Sequence, residues 1–209
     1  MKSVYLHPLT VRIWHWTNAA IVIALLVTGA QLRIPELRIL PSYSQAAAIH
    51  KYVGFAMGLS FLFWLQYSFI FGGLRRHYLL SVKDLHAIVG QALFYLFGIF
   101  RGWENPFEPT PDNKFNPLQK IAYASVMLVF TPIIVVTGII FSDLVSFAPF
   151  VEMLHGVRVL DAIHVVIAYV FVLYLAVHLY MSTLGSTVFE HVRAMITGRV
   201  EHKKRNEKR

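Results

Sequence analysis

The sequence contains no cysteine among its 209 residues. A chain without thiols forms no disulfide, holds no zinc–thiolate or iron–sulfur centre and cannot attach a c-type haem covalently. Any bound metal must therefore be held by histidine, methionine or carboxylate side chains. Acidic residues are also scarce, at 11 against 19 Lys and Arg, and charged residues make up only 14% of the chain. Histidine, with 10 copies, is the abundant candidate ligand.

Apolar residues dominate what remains. They make up 56% of the chain, and the mean hydropathy of +0.56 is too high for a water-soluble domain whose polar residues cover its surface. The composition therefore predicts an integral membrane protein. The first apolar run, residues 13–32, is too long for a signal-peptide core and lacks a small-residue cleavage pattern, so we interpret it as a retained helix.

Four runs are long enough to cross a bilayer, which takes roughly 20 mostly apolar residues. The apolar part of segment 78–100 is only about 14 residues long, which is typical of an interfacial helix rather than a span. We predict one all-α membrane domain over residues 1–209, a four-helix bundle with an additional cytoplasmic interfacial helix. The predicted spans are residues 11–32, 45–74, 118–144 and 160–184.

The basic residues predict the orientation of this bundle. With four crossings, both termini lie on one side, and that side receives 15 of the 19 Lys and Arg residues. The positive-inside rule then predicts that both termini are cytoplasmic. The basic tail, residues 193–209, is expected to meet the anionic lipid surface rather than nucleic acid.

Two histidines, His164 and His178, interrupt the last apolar run. They are 14 residues apart, which at about 100° and 1.5 Å per residue places them on nearly one helix face, about 21 Å apart along the axis. An ionisable side chain inside a membrane is by default a functional hypothesis, because burying it in lipid is costly.

Two further histidines match these depths. His15 lies near the cytoplasmic start of the first span, level with His178, and His50 lies near the outer start of the second, level with His164. This pattern predicts two bis-histidine b haems, which exchange electrons because both axial positions are filled. The alternative is a transporter whose histidines bind a transition metal or relay protons, which predicts broken helices and ligands clustered at mid-membrane.

Three segments resemble a known family: HPLTVRIWHWTN at the start, KFNPLQKIAY followed by VVTGII, and the final block from IHVVIAYVFVLYLAVHLYM to AMITGRV. They are similar to the b-type cytochrome membrane subunits of bacterial formate dehydrogenases (the gamma subunit), thiosulfate reductases and nickel–iron hydrogenases. The resemblance implies that His15 and His178 bind the cytoplasmic-side haem and that His50 and His164 bind the outer haem. This is the pairing that depth predicts.

The resemblance also implies a quinone site beside the inner haem. Its matching residues are Asn116, Gln119 and Lys120, with His178 nearby. Pro117 has no backbone N–H, so that position offers no donor to a quinone carbonyl. Asn116 followed by proline is also an ordinary helix N-cap, and the two roles are compatible.

The resemblance further implies an electron-transfer subunit of a respiratory oxidoreductase in the bacterial cytoplasmic (inner) membrane. An iron–sulfur or multihaem partner on the outer face would exchange electrons with menaquinone or ubiquinone through the two haems. The chain itself would not act on the partner's substrate. A free-standing quinone-linked cytochrome is the second possibility within the same chemistry. The other histidines are expected to be solvated or to face a partner: His7, His77, His86, His155, His191 and His202.

Overall fold

The computed structural model describes residues 2–185 and 187–202. It confirms the predicted all-α membrane class and adds one small sheet. Residues 193–202 of the predicted basic tail form the end of a short helix and a strand, while residues 203–209 lie outside the described residues. The elements are β1 (Lys2–Tyr5), α1 (Leu9–Arg33), α2 (Tyr43–Ile70), α3 (Val82–Arg101), α4 (Pro117–Ser142), α5 (Ala148–Met153), α6 (Val157–Ser182), α7 (Glu190–Thr197) and β2 (Arg199–His202).

Within the described residues, five helices are long and apolar enough to cross a membrane: α1, α2, α3, α4 and α6. Four of them match the predicted spans to within a few residues. The largest difference is that α2 ends at Ile70, because Gly72 adopts a left-handed φ of 66° and interrupts the helix before a π-helical turn at Leu74–Tyr78. Large apolar side chains such as Phe69, 78% exposed, point away from the protein, as lipid-facing residues do.

Helix α4 contains a local irregularity caused by Pro132. Proline has no N–H to donate to the preceding turn, and its ring crowds that turn. The helix widens into a π-helical segment over Val126–Phe130, and the Thr131 hydroxyl donates to the Val126 carbonyl at 2.8 Å. The Val126 carbonyl also accepts the backbone N–H of Thr131, so the hydroxyl adds a second bond to this acceptor.

The main core lies between α1, α2, α4 and α6. Helix α2 packs against both α1 and α4, and α4 packs against α6. The backbones of α1 and α2 stay farther from α6, so long side chains fill the space between these helices. The buried core residues are Met57, Trp64, Val126, Met127, Ile167 and Phe171.

In the described chain, the long helix that α3 contacts most closely is α4, and the contact is with the first turns of α4. Asp84 binds Lys120 and Tyr95 binds Asn116. The contacts are 11 residues apart on α3, about 16 Å of helix, but four residues apart on α4, about 6 Å. Helix α3 is therefore bound at the start of α4.

Both chain ends meet at one end of the bundle. Strands β1 and β2 pair antiparallel, and Gly198 accepts hydrogen bonds from the Leu6 and His7 amides. Helix α7 lies beside the start of α1, where the Trp16 indole donates to the Met195 carbonyl at 3.1 Å and the Arg12 guanidinium donates to the Ile196 carbonyl. We call this the sheet end and the opposite end of the bundle the far end.

Candidate functional site

The first histidine pair lies towards the sheet end. His15 of α1 and His178 of α6 have ring centroids 6.1 Å apart. Tyr174, one turn earlier on α6, stacks on the His178 ring at 5.9 Å between centroids, and the Trp16 ring contacts His15 edge-on. The Nδ1 atom of His15 is buried and has no hydrogen-bond partner in the protein.

The second pair lies towards the far end. His50 of α2 and His164 of α6 have ring centroids 6.3 Å apart. The Nδ1 atom of each ring is 2.8 Å from a threonine hydroxyl, Thr28 Oγ1 for His50 and Thr137 Oγ1 for His164. The structure thus brings together the two pairs that depth predicts.

Each separation is suitable for one metal ion held between two imidazoles. A metal–imidazole bond is about 2 Å long and the ligating nitrogen lies about 1 Å from the ring centre, so two imidazoles sharing one ion place their centroids about 6 Å apart. Both pairs have this spacing.

Glycines give the far-end histidines room. A Cβ atom at Gly29 would lie 3.2 Å from His50 Cε1, and one at Gly138 would lie 3.6 Å from His164 Cε1. The contact at Gly29 is tighter than side chains ordinarily tolerate, so the absence of a side chain there lets the His50 ring lie against α1.

The threonines and glycines were missed by sequence reasoning. Each histidine of the far-end pair lies beside a tripeptide Val-Thr-Gly, at residues 27–29 on α1 for His50 and at 136–138 on α4 for His164. In each case the following long helix in the bundle supplies the histidine, His50 from α2 or His164 from α6. The repeated tripeptide was the available signal, and it marks a local two-fold repetition that the rest of the chain does not show.

No cluster of three or more potential metal-ligating side chains occurs in the described ranges. The histidines form two separate pairs and do not converge at mid-membrane. This distribution is the opposite of what the transporter alternative predicts.

Comparison with known proteins identifies the family to which this chain belongs. The family model for prokaryotic cytochrome b561 matches residues 6–198. The chain belongs to this family. It is also 32% identical over 207 residues to YdhU of Escherichia coli (strain K12), a protein whose name describes it as a cytochrome; the match covers 96% of this chain and 76% of YdhU.

Membership of the cytochrome b561 family makes the chain a multi-pass electron-transport protein of the bacterial inner membrane, and it implies b-type haem as the cofactor. The histidine pairs fit that cofactor, because their spacing suits axial ligation of haem iron and the chain has no thiol that could serve instead.

The residues predicted for a quinone site in this cytochrome are engaged in bonds within the protein. Asn116 is the N-cap of α4. Its side-chain oxygen accepts from the backbone N–H of Gln119 at 2.9 Å, and Gln119 Oε1 accepts from the backbone N–H of Asn116 at 3.1 Å. The side-chain Nδ2 of Asn116 also donates to the Tyr95 hydroxyl at 2.8 Å. Both hydrogen bonds of the capping box are therefore formed, and Asn116 is only 2% exposed.

Lys120 is the third predicted residue, and it forms a buried ion pair. Its Nζ atom lies 2.8 Å from Asp84 Oδ2, and both side chains are less than one-tenth exposed. The same carboxylate accepts from the amide and the hydroxyl of Ser81, each at 2.7 Å. The pair joins the start of α3 to the first turn of α4, and sequence reasoning did not identify Asp84.

A cavity of about 250 Å³ lies at the sheet end between the start of α1, the end of α2 and the segment before α4. Histidines in its wall, expected to be solvated, are instead partly buried. Burial, followed by nearby cations including Lys114, lowers the pKa of both His7 and His77 to about 4, so both are neutral at pH 7. Burial also lowers the pKa of Lys114. The wall includes His7, Trp14, Arg76, His77, Lys114 and Phe115.

Proposed function

We propose that the chain carries electrons between a redox partner at the outer membrane face and the quinone pool, using two bis-histidine b haems. The observation that carries the proposal is the presence of two histidine pairs, each spaced for one iron. Each pair takes one ring from α6, and these two rings lie towards opposite ends of that helix. His15 and His178 would hold the haem at the sheet end, and His50 and His164 the haem at the far end. When bound, the haems supply one-electron chemistry.

We further propose four crossings, with the sheet end in the cytoplasm and α3 at the interface. The pairing of β1 with β2 supports an even number of crossings, because strands on opposite sides of a bilayer cannot pair. Asp84 near the start of α3 and Tyr95 late in α3 both bind residues at the start of α4, which also supports an interfacial position, although α3 is long enough to span. The excess of basic residues on the sheet-end side supports its cytoplasmic placement.

The arrangement of aromatic rings supports quinone exchange at the sheet end. From His178, neighbouring rings run through Tyr174 and Tyr123 to Phe115, with centroid separations of 5.9, 6.2 and 4.7 Å. Phe115 lines the 250 Å³ cavity. The cavity is therefore close to the histidine pair without sharing its side chains.

In this proposal the cavity receives the headgroup of menaquinone or ubiquinone. Because Asn116, Gln119 and Lys120 all have protein partners, they position the segment that walls the cavity, and a headgroup would first meet neutral His77 and Lys114. Reduction of a quinone to its quinol takes up two electrons and two protons. The electrons arrive one at a time from the sheet-end haem site, and the protons come from the adjacent aqueous phase.

The proposed partner is an iron–sulfur or multihaem subunit docked at the far end, beside His50 and His164. The direction of electron flow depends on that partner. The alternative of a free-standing quinone-linked cytochrome uses the same histidines, and copurification from native membranes distinguishes the two.

The test is a haem count on the purified holoprotein combined with single histidine variants. Wild-type protein should contain two b haems per chain, with reduced-minus-oxidised bands of two components. His178→Ala should lose the sheet-end haem and keep the other, while His164→Ala should do the reverse. His86→Ala and His155→Ala are matched controls, because both rings are exposed and outside the pairs.

The proposal is wrong if the folded wild-type protein binds no b haem. The pairing is wrong if His178→Ala loses both haems while remaining folded, or if His15→Ala and His178→Ala remove different haems. The quinone assignment is tested separately, by measuring whether a quinol in proteoliposomes reduces the haem that remains in each variant.

A further inference from the structure

We propose that Thr28 and Thr137 are positioning residues that fix the tautomer of the far-end histidines and set the reduction potential of the haem they bind. The inference rests on the proposed function, since it concerns the chain's own hydrogen bonds to residues assigned there as haem ligands. Nothing in the family membership assigns a role to either threonine.

The proton positions follow from counting donors. A threonine hydroxyl has one proton and can accept other bonds. Thr28 Oγ1 lies 2.7 Å from the Ala24 carbonyl oxygen, an atom that can only accept, so the hydroxyl proton points to that carbonyl. We therefore assign the contact of 2.8 Å with His50 Nδ1 as a bond in which Nδ1–H donates to the hydroxyl oxygen. The backbone carbonyl of Leu25 is a second acceptor near the same ring.

The same count applies on the other side of the pair. Thr137 Oγ1 lies 2.9 Å from the Ile133 carbonyl oxygen, one turn earlier on α4, and 2.8 Å from His164 Nδ1. His164 Nδ1 therefore donates as well. Both rings carry their proton on Nδ1, which leaves Nε2 of each ring unprotonated and available to bind a metal.

The geometry recurs on two different helices from the same tripeptide. Val-Thr-Gly on α1 provides a hydroxyl for His50 and a flat surface at Gly29, and Val-Thr-Gly on α4 provides a hydroxyl for His164 and a surface at Gly138. A single threonine beside a histidine would be unremarkable in a helical bundle. Two such contacts of equal length, one for each member of a pair, indicate a built arrangement.

The sheet-end pair lacks this support. His15 Nδ1 is buried without a protein partner, and no threonine bond to either ring of that pair is present in the described residues. The threonines thus act on one haem site only, which makes their effect separable from a general effect on stability.

The expected effect has a definite direction. A hydrogen bond donated from Nδ1 increases electron density on the ligating nitrogen and favours the oxidised metal. Removing the acceptor should therefore raise the potential of the far-end haem. We expect up to a tenfold rise in the ratio of reduced to oxidised haem at a fixed applied potential, or about 59 mV for one electron.

The experiment is a spectroelectrochemical titration of the holoprotein for Thr28→Val and Thr137→Val, with the electron paramagnetic resonance spectrum of the oxidised form. Valine keeps the shape of threonine and removes the hydroxyl. Thr131→Val is the matched control, because the Thr131 hydroxyl bonds a carbonyl of the same α4 helix but contacts no histidine. Thr28→Ser and Thr137→Ser should restore the wild-type potential.

The inference holds if each valine variant raises one potential, leaves the other unchanged and is rescued by serine. It also holds if the valine variants lose the far-end haem while the serine variants and Thr131→Val retain it. It is overturned if both potentials are unchanged in both valine variants, or if Thr131→Val or the serine variants change the haem as much. A wild-type protein without two b haems would instead refute the proposed function.

Discussion

The buried pair between Asp84 and Lys120 makes a quantitative prediction about how α3 is held. Replacing Lys120 by methionine keeps most of the apolar stem and removes the charge. The Asp84 carboxylate then stays buried with only the two Ser81 donors. Removing one member of a buried pair typically costs about 3–5 kcal/mol, because the remaining charge is uncompensated. Since both side chains are less than one-tenth exposed, solvent should relieve little of this cost.

A double-mutant cycle measures the interaction itself. Asp84→Asn combined with Lys120→Met leaves no charge and keeps a side-chain oxygen that can accept from Ser81, so most of the lost stability should return. Lys83→Met is the control, because Lys83 is the neighbour of Asp84 but its side chain is exposed. Stability is measured by denaturant titration of the holoprotein in detergent, and detachment of α3 by proteolysis of residues 102–116.

The reasoning fails if Lys120→Met costs no more than Lys83→Met, or if the double variant is no more stable than the single one. The same double variant addresses the quinone role. If Lys120 acts only through the ion pair, the double variant should react with quinol at close to the wild-type rate. A folded double variant with both haems and a lost quinol reaction would make Lys120 a direct contact.

Two further predictions concern topology and pH. The chain has no cysteine, so Glu104→Cys, placed just after α3, should be labelled from the same membrane side as Lys83→Cys, with Ser146→Cys labelled from the other side. Labelling of Glu104→Cys from the side opposite to Lys83→Cys, with Ser146→Cys on the Lys83 side, would mean that α3 crosses. Burial and nearby cations lower the pKa of His77 from 6.5 to about 4. Below about pH 6.5, His77 therefore binds a proton in the unfolded chain but not in the folded protein. The stability of the folded protein should fall as the pH is lowered from 6.5 to 4. His77→Gln should make the melting temperature less sensitive to pH over that window, whereas the exposed His86→Gln should not.

The histidine pairing was predictable because it depends on features that one sequence displays. A spacing of 14 residues on one helix determines two levels, and the positions of His15 and His50 near helix ends assign them to those levels. Hydropathy then places the helices, since each span must be long and apolar. The N-cap at Asn116 was equally local, because the capping residues are adjacent in the chain.

The contacts that were missed all depend on how separate helices are rotated and offset. Thr28 and His50 are 22 residues apart, and Asp84 and Lys120 are 36 apart, so no local pattern pairs them. The pairing of β1 with β2 joins four-residue segments from opposite ends of the chain, which carry little strand signal of their own. His7 and His77 were expected to be solvated because they lie outside the apolar runs. The structure buries them by folding the segment before α4 over the ends of α1 and α2.

The two histidine pairs differ in how firmly the protein holds them, and that difference is consistent with the role that we propose for each end. At the far end both rings are fixed by hydroxyl bonds and lie beside glycines, so the ligand geometry is determined before a metal binds. At the sheet end the His178 ring is held by stacking on Tyr174, and the nearest cavity is lined by neutral histidines and a basic loop. A rigid site suits electron exchange with a docked protein, because little reorganisation accompanies the transfer. A site beside an accessible cavity suits an exchangeable quinone that must also gain protons. The positions of the threonines and of the cavity therefore favour electron entry or exit by protein contact at the far end and quinone chemistry at the sheet end.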